Sequence, residues 1–142
     1  MRFMVIVKAD ENSEASMMPD PKIFEAMANY NEQLVKAGVM LAGDGLNTSK
    51  EGVRLAFDGA KRTVTDGAFA ETKELVAGFW IWQWKPKEEA SEWPKRAPFD
   101  GGTEIELRPI AELEDFGDEL TPEVREKEKQ LAAELEARKA SR

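Results

Sequence analysis

Three tryptophans at every second position constrain the fold of this chain more than any other feature. Trp80, Trp82 and Trp84 have the spacing that puts side chains on one face of a β-strand, with Phe79 and Ile81 on the other face. Each tryptophan buries roughly 150 to 250 Å², so three of them require cover from the core, a subunit interface or an apolar pocket. We place them on the sheet face opposite the helices, where a homodimer interface is the first interpretation and a pocket beside it is the second.

Apolar periodicity and turn residues predict the remaining elements. Asp20 and Pro21 begin a helix that Gly38 ends, and Asp58-Gly59 joins two strands of a hairpin. A loop is predicted at 10–19 and a turn at 43–45. Strands are predicted at 2–8, 39–42, 53–57, 62–65, 75–84 and 103–108, and helices at 21–37, 86–93 and 122–139.

This order predicts an α+β fold, namely a ferredoxin-like antiparallel sheet with two packing helices, an inserted hairpin and a C-terminal helical extension. Residues 1–120 are predicted to form the domain, and residues 121–142 a charged helical arm that begins at Thr121. Pro94 is expected to end or kink the second helix, because proline removes a helical hydrogen bond.

A nine-residue motif follows the hairpin. Residues 66–74 read Asp-Gly-Ala-Phe-Ala-Glu-Thr-Lys-Glu, which resembles the Asp-Gly-Pro-Phe-Ala-Glu-Thr-Lys-Glu signature of the DGPF branch of the YCII-related proteins. Eight positions match, and Ala68 stands where the family has proline. The resemblance extends over residues 1–120 and includes the sequences LAGDGL at 41–46 and EIELRPIAELEDFG at 104–117.

The resemblance implies a ferredoxin-like domain that dimerises in the manner of the dimeric α/β barrels. It also implies a family whose biochemical role is largely unassigned. Genes of the DGPF branch often lie beside genes for extracytoplasmic-function sigma factors, which implies a regulatory context.

Composition excludes several classes of protein. The chain has 142 residues, with 20 Lys and Arg against 28 Asp and Glu and a formal net charge of −8, so its field repels nucleic-acid phosphates. No stretch approaches the roughly 18 apolar residues of a membrane span, and a strand stands where a signal peptide would. There is no cysteine, which fits a reducing compartment. We therefore expect a cytoplasmic protein with no membrane and no nucleic-acid partner.

Histidine is absent as well, which removes Ser-His-Asp and Cys-His mechanisms and the usual ligands of zinc. The wider YCII-related group has been linked to a catalytic histidine and aspartate pair, and the resemblance places that histidine near Met27. The sequence 43–45 is not a dinucleotide fingerprint, because Thr48 stands where the third glycine belongs. No metal and no cofactor are predicted.

Carboxylate acid–base chemistry is the enzymatic option that remains. Asp44 and Asp66 are the candidate catalytic residues, because a desolvated carboxylate can act as a general base near neutral pH. Both also suit turns, where acids are common. The candidate pocket or interface residues are Tyr30, Phe69, Glu71, Lys73, Trp80, Trp82, Trp84 and Arg108.

Two functions stay open. The first is a non-catalytic homodimeric protein that binds a small apolar or amphipathic ligand or a protein partner. The second is a small carboxylate-dependent isomerase or lyase of the dimeric α/β-barrel type, with Asp44 or Asp66 as its base. We favour the first, because histidine is missing and no pair of acids has a diagnostic spacing.

Overall fold

The computed structural model describes residues 1–15, 20–70, 74–84, 92–99 and 101–141. The chain divides into two compact units, Met1–Ile110 and Ala111–Arg142. The first contains all the described strands, and its antiparallel sheets and helices confirm the predicted α+β class. Within the described part of the chain, no helix has the length and apolar character needed to cross a membrane.

The first unit contains a four-stranded antiparallel sheet and a separate two-stranded hairpin. The strands are β1 (Arg2–Lys8), β2 (Met40–Gly45), β3 (Val53–Asp58), β4 (Lys61–Asp66), β5 (Val76–Gln83) and β6 (Ile105–Pro109). The larger sheet has the order β2-β5-β1-β6, while β3 and β4 pair only with each other. Once the hairpin is set aside, this is the order of a ferredoxin-like fold.

The helices of the first unit are α1 (Glu11–Ala15), α2 (Pro21–Lys36) and α3 (Glu92–Lys95). The predicted limits of α2 are confirmed. The Asp20 carboxylate accepts a hydrogen bond of 2.8 Å from the Lys22 amide, and Gly38 follows the helix with a φ of 72°.

Helix α1 lies in the first part of the loop predicted at 10–19, and the prediction was wrong there. Residues 16–19 of that loop lie outside the described residues. The Ser13 amide donates to the Asp10 carboxylate at 2.7 Å, and the Asp10 amide donates to the Ser13 hydroxyl at 2.9 Å. This reciprocal pair satisfies two amides at the start of the helix, as a capping box does. The third helical residue of a capping box is usually glutamate. In this chain it is serine, so the sequence pattern did not indicate the start of a helix.

The predicted turn at 43–45 was also wrong, because these residues belong to β2 and pair with β5. A Cβ atom on Gly43 would lie 2.5 Å from the indole ring of Trp80, so the glycine leaves room for that ring. Residues 86–91 of the predicted second helix lie outside the described residues. Pro94 lies inside the short helix α3, one residue before its end at Lys95, and the first turn of a helix tolerates proline.

The tryptophans form the core on the helix side of the sheet, so their predicted placement on the opposite face was wrong. Trp80, Trp82 and Trp84 are buried with Tyr30 and Leu34 of α2. Trp82 is completely buried. Side chains at every second position of a strand lie on the same face of the sheet, but this spacing does not show on which face the helix packs.

The other face of the sheet carries an apolar centre that we call the open face, formed by Met4, Ile6, Phe79 and Ile81. Met4 pairs with Ile81, and Ile6 pairs with Phe79. All four side chains are only partly buried, and none belongs to the core cluster. Arg108 and Glu106 flank this centre on β6, and Asp44 flanks it on β2.

The second unit contains a 3₁₀ segment (Leu113–Glu119) and helix α4 (Pro122–Ala140). The predicted start of the helix is confirmed, because the Thr121 hydroxyl accepts a hydrogen bond from the Val124 amide at 3.3 Å. Helix α4 contains no buried residue.

Candidate ligand cleft

An open cleft of about 460 Å³ lies in the first unit near the base of the hairpin. Its walls come from α1, from the segment between β2 and β3, from the start of β3, from the turn after β4 and from the start of β5. The apolar part of the wall consists of Leu46, Phe69, Leu75 and Val76. Polar and charged side chains complete it, among them Glu14, Ser49 and Arg54.

Ser49 ties together three segments that border the cleft. Its hydroxyl donates a short hydrogen bond to the Glu14 carboxylate, and its amide donates to the same carboxylate at 3.0 Å. The hydroxyl oxygen also accepts a hydrogen bond of 3.1 Å from the Phe69 amide. Helix α1, the Ser49 segment and the motif turn are therefore held in one arrangement before any ligand binds.

Arg54 supplies a positive charge to the cleft. Its guanidinium carbon lies 3.7 Å from the centre of the Phe69 ring, a distance at which the ring attracts a cation. No ion pair joins Arg54 to another residue of the described chain. Phe69 also lies beside Gly52, where a Cβ atom would be 3.4 Å from the ring.

Neither of the two candidate catalytic acids lines the cleft. Asp44 is exposed on β2, opposite Phe79 in the larger sheet. Asp66 is exposed at the end of β4, opposite Val53 in the hairpin. They lie in different sheets, and neither lines the cleft.

Tyr30 is a core residue and does not line the cleft. Its hydroxyl donates a hydrogen bond of 2.5 Å to the Trp93 carbonyl. Burial raises the pKa of Tyr30 to about 12, against an opposing effect of the nearby Arg96 charge. A neutral, hydrogen-bonded phenol suits a structural role better than substrate activation.

The other predicted pocket or interface residues are dispersed. Trp80 is buried and its indole N–H donates to the Asn31 side chain at 2.9 Å, while Arg108 is exposed and pairs with Glu106. Phe69 lines the cleft. Glu71 and Lys73 lie outside the described residues.

Sequence reasoning missed Glu14, Ser49 and Arg54. Glu14 and Ser49 are 35 positions apart in the chain, so no local pattern connects them. The capping residues Asp10 and Ser13 could have predicted the short helix that carries Glu14. Among the residues that the structure describes, no group of three or more metal-binding side chains is assembled.

A family model described as the YCII-related domain matches residues 1–114. The matched range includes the larger sheet, the hairpin and every residue that lines the cleft. No curated protein matches the chain.

Proposed function

The chain belongs to the family of the YCII-related domain, and we propose that it binds a small amphipathic molecule in the cleft beside its Asp66–Phe69 turn. The cleft is the observation that carries this proposal. Its volume of about 460 Å³ falls in the range of roughly 300 to 1,000 Å³ found for small-molecule sites. An apolar wall with a few polar groups is the usual composition of such sites.

Binding without turnover is favoured over an isomerase or lyase. Asp44 and Asp66 are exposed, so both carboxylates are hydrated, and neither lines the cleft. Glu14 does line the cleft, but its carboxylate already accepts hydrogen bonds from Ser49. The chain also has no histidine, which is the usual general base near neutral pH.

The family branch and the biological context are part of the same proposal. Eight of the nine positions in the motif at 66–74 match the DGPF signature, and we assign the chain to that branch on this basis. The sigma-factor context of the branch then suggests a regulatory role. A protein that binds a small molecule without converting it suits such a role.

The protein is further proposed to form a homodimer through the open face. Met4, Ile6, Phe79 and Ile81 form an apolar centre, and charged side chains such as Arg108 and Asp44 lie around it. Subunit interfaces have this composition, with an apolar centre inside a polar rim. The same face of two copies can pair about a two-fold axis.

Ligand binding can be tested by measuring the unfolding temperature of the full chain against a panel of metabolites, since a ligand of the folded state raises it. Leu46→Glu puts a charge into the cleft, and Leu41→Glu is the matched control because Leu41 is similarly exposed but does not line the cleft. Metabolites that bind the wild-type protein should no longer bind Leu46→Glu and should still bind Leu41→Glu. Equal binding by both variants would exclude the cleft.

The chemical fate of each hit separates the two functions. A ligand recovered unchanged after prolonged incubation supports a binding protein. Conversion of the ligand, lost on Asp44→Asn or Asp66→Asn, would instead support the carboxylate-dependent enzyme.

The homodimer can be tested by light scattering, where the monomer has a mass of 15.9 kDa. Phe79→Glu should produce monomers, because it places a charge in the centre of the open face. Phe24→Glu is the control, since Phe24 is exposed on α2. A monomeric wild-type protein at micromolar concentration would refute the dimer.

A further inference from the structure

We infer that the ligand of this cleft is a zwitterion of amino-acid type, an α-amino acid with an apolar side chain. Its carboxylate would be bound by Arg54 and its ammonium group by the glutamates of the cleft. This inference rests on the proposed function, because it names the chemical class of ligand for the same cleft.

The case for a carboxylate comes from Arg54. A guanidinium group presents several N–H donors in a planar fork that matches a carboxylate. Arg108 uses this fork on Glu106, whereas Arg54 has no carboxylate partner among the described residues. The Phe69 ring lies 3.7 Å from the Arg54 guanidinium carbon, which restricts the side chain and prepares it for an incoming anion.

The case for an ammonium group comes from the acids. Glu14, Glu51 and Glu74 line the cleft together with Arg54, so one positive and three negative charges leave 1 − 3 = −2. Glu51 and Glu74 are exposed, and neither makes an ion pair with another described residue. A simple anion would match Arg54 but be repelled by these acids, and a simple amine would leave Arg54 without a partner.

The apolar part of the ligand has its own wall. Leu46, Leu75 and Val76 line the cleft beside the Phe69 ring, and Leu46 and Val76 are partly open to solvent, at 44% and 37% exposure. An apolar side chain that covers them removes apolar surface from water. An amino acid with such a side chain therefore matches each of the three kinds of surface in the cleft.

Three probes of one shape test the charge requirement: L-phenylalanine, 3-phenylpropionate and 2-phenylethylamine. Calorimetric titration of the full chain should show that phenylalanine binds about tenfold more tightly than either singly charged probe, since each lacks one charge-assisted contact. Equal or tighter binding of a singly charged probe would overturn the inference, and so would the absence of any binding by phenylalanine.

Two cleft variants test which charge binds which group. Arg54→Gln should weaken the binding of phenylalanine and of 3-phenylpropionate about tenfold. It should leave the binding of 2-phenylethylamine unchanged. Glu51→Gln should weaken the binding of phenylalanine and 2-phenylethylamine, the two probes with an ammonium group. It should leave the binding of 3-phenylpropionate unchanged. The matched control is Arg62→Gln, because Arg62 also lies over an aromatic ring, that of Phe57, but outside the cleft. A similar loss in the control would overturn the assignment of Arg54.

The outcomes also separate this inference from the proposed function. If a neutral or singly charged metabolite binds and Leu46→Glu abolishes its binding, the cleft is a ligand site and only the zwitterion inference fails. If neither the amino acid nor any member of the metabolite panel binds, both fail.

Discussion

A Cβ atom placed on Gly67 would lie 1.7 Å from the carbonyl oxygen of Ser49. No side chain fits there, because the Cβ atom is attached directly to the backbone of one segment and the Ser49 oxygen belongs to the backbone of the other. The Gly67 amide also donates a hydrogen bond of 2.9 Å to the Gly52 carbonyl. The motif turn and the Ser49–Gly52 segment are thus in direct backbone contact next to the cleft.

Gly67→Ala should therefore separate these two segments and lower the free energy of unfolding by about 1 to 3 kcal/mol, the usual range for overpacking. Urea denaturation measures the change. Gly45→Ala is the control, because a Cβ atom on Gly45 meets nothing within 4 Å. An equal effect of the two substitutions would contradict the close approach of Gly67 and Ser49.

Trp82→Ala should lower the free energy of unfolding by roughly 3 to 5 kcal/mol, because it removes a large side chain and leaves a cavity. Trp82 is completely buried, whereas Phe24 of α2 is 52% exposed. Phe24→Ala, compared in the same denaturation experiment, should have a much smaller effect. A small effect of Trp82→Ala would show that the helix-side core is not packed around this ring.

Alkaline pH should destabilise the protein through Tyr30, whose pKa is raised to about 12 by burial. Tyrosine in an unfolded chain ionises near pH 10, so between about pH 10 and 12 the unfolded chain releases a proton that the folded chain keeps. The stabilisation is fully present below about pH 10 and is lost as the pH rises towards 12.

The chain has one tyrosine, so tyrosinate absorbance reports this group alone. The native protein should titrate near pH 12 and the urea-unfolded protein near pH 10. Tyr30→Phe should remove the absorbance change and serves as the control. A native midpoint near 10 would contradict the burial of the hydroxyl.

Deletion of residues 122–142 should leave the first unit folded. Helix α4 has no buried residue, and Met1–Ile110 is a compact unit by itself. The truncated chain should keep a cooperative unfolding transition, with a midpoint close to that of the full chain, as measured by circular dichroism. Loss of that cooperative transition would instead make the helix part of the structural core.

The elements that sequence reasoning predicted correctly depend on interactions between near neighbours. Asp20 caps α2 through the amide of Lys22, two positions away, and Gly59 permits the hairpin turn with a φ of 59°. The alternation of buried and less buried side chains along β5 also depends on near neighbours. Such contacts leave a pattern in the sequence, because residue type and backbone conformation are linked within a few positions.

The sequence by itself determined the α+β class, the strand parity of Trp80, Trp82 and Trp84, and the ends of the long helices. Only the tertiary structure decided that the tryptophans face α2 and that Gly43 lies in a strand against an indole ring. The cleft likewise depends on Glu14, Ser49 and Phe69, which are joined across 35 and 20 positions of the chain. Contacts of that range arise from how packed elements meet in space, and the spacing of residues along the chain does not encode them.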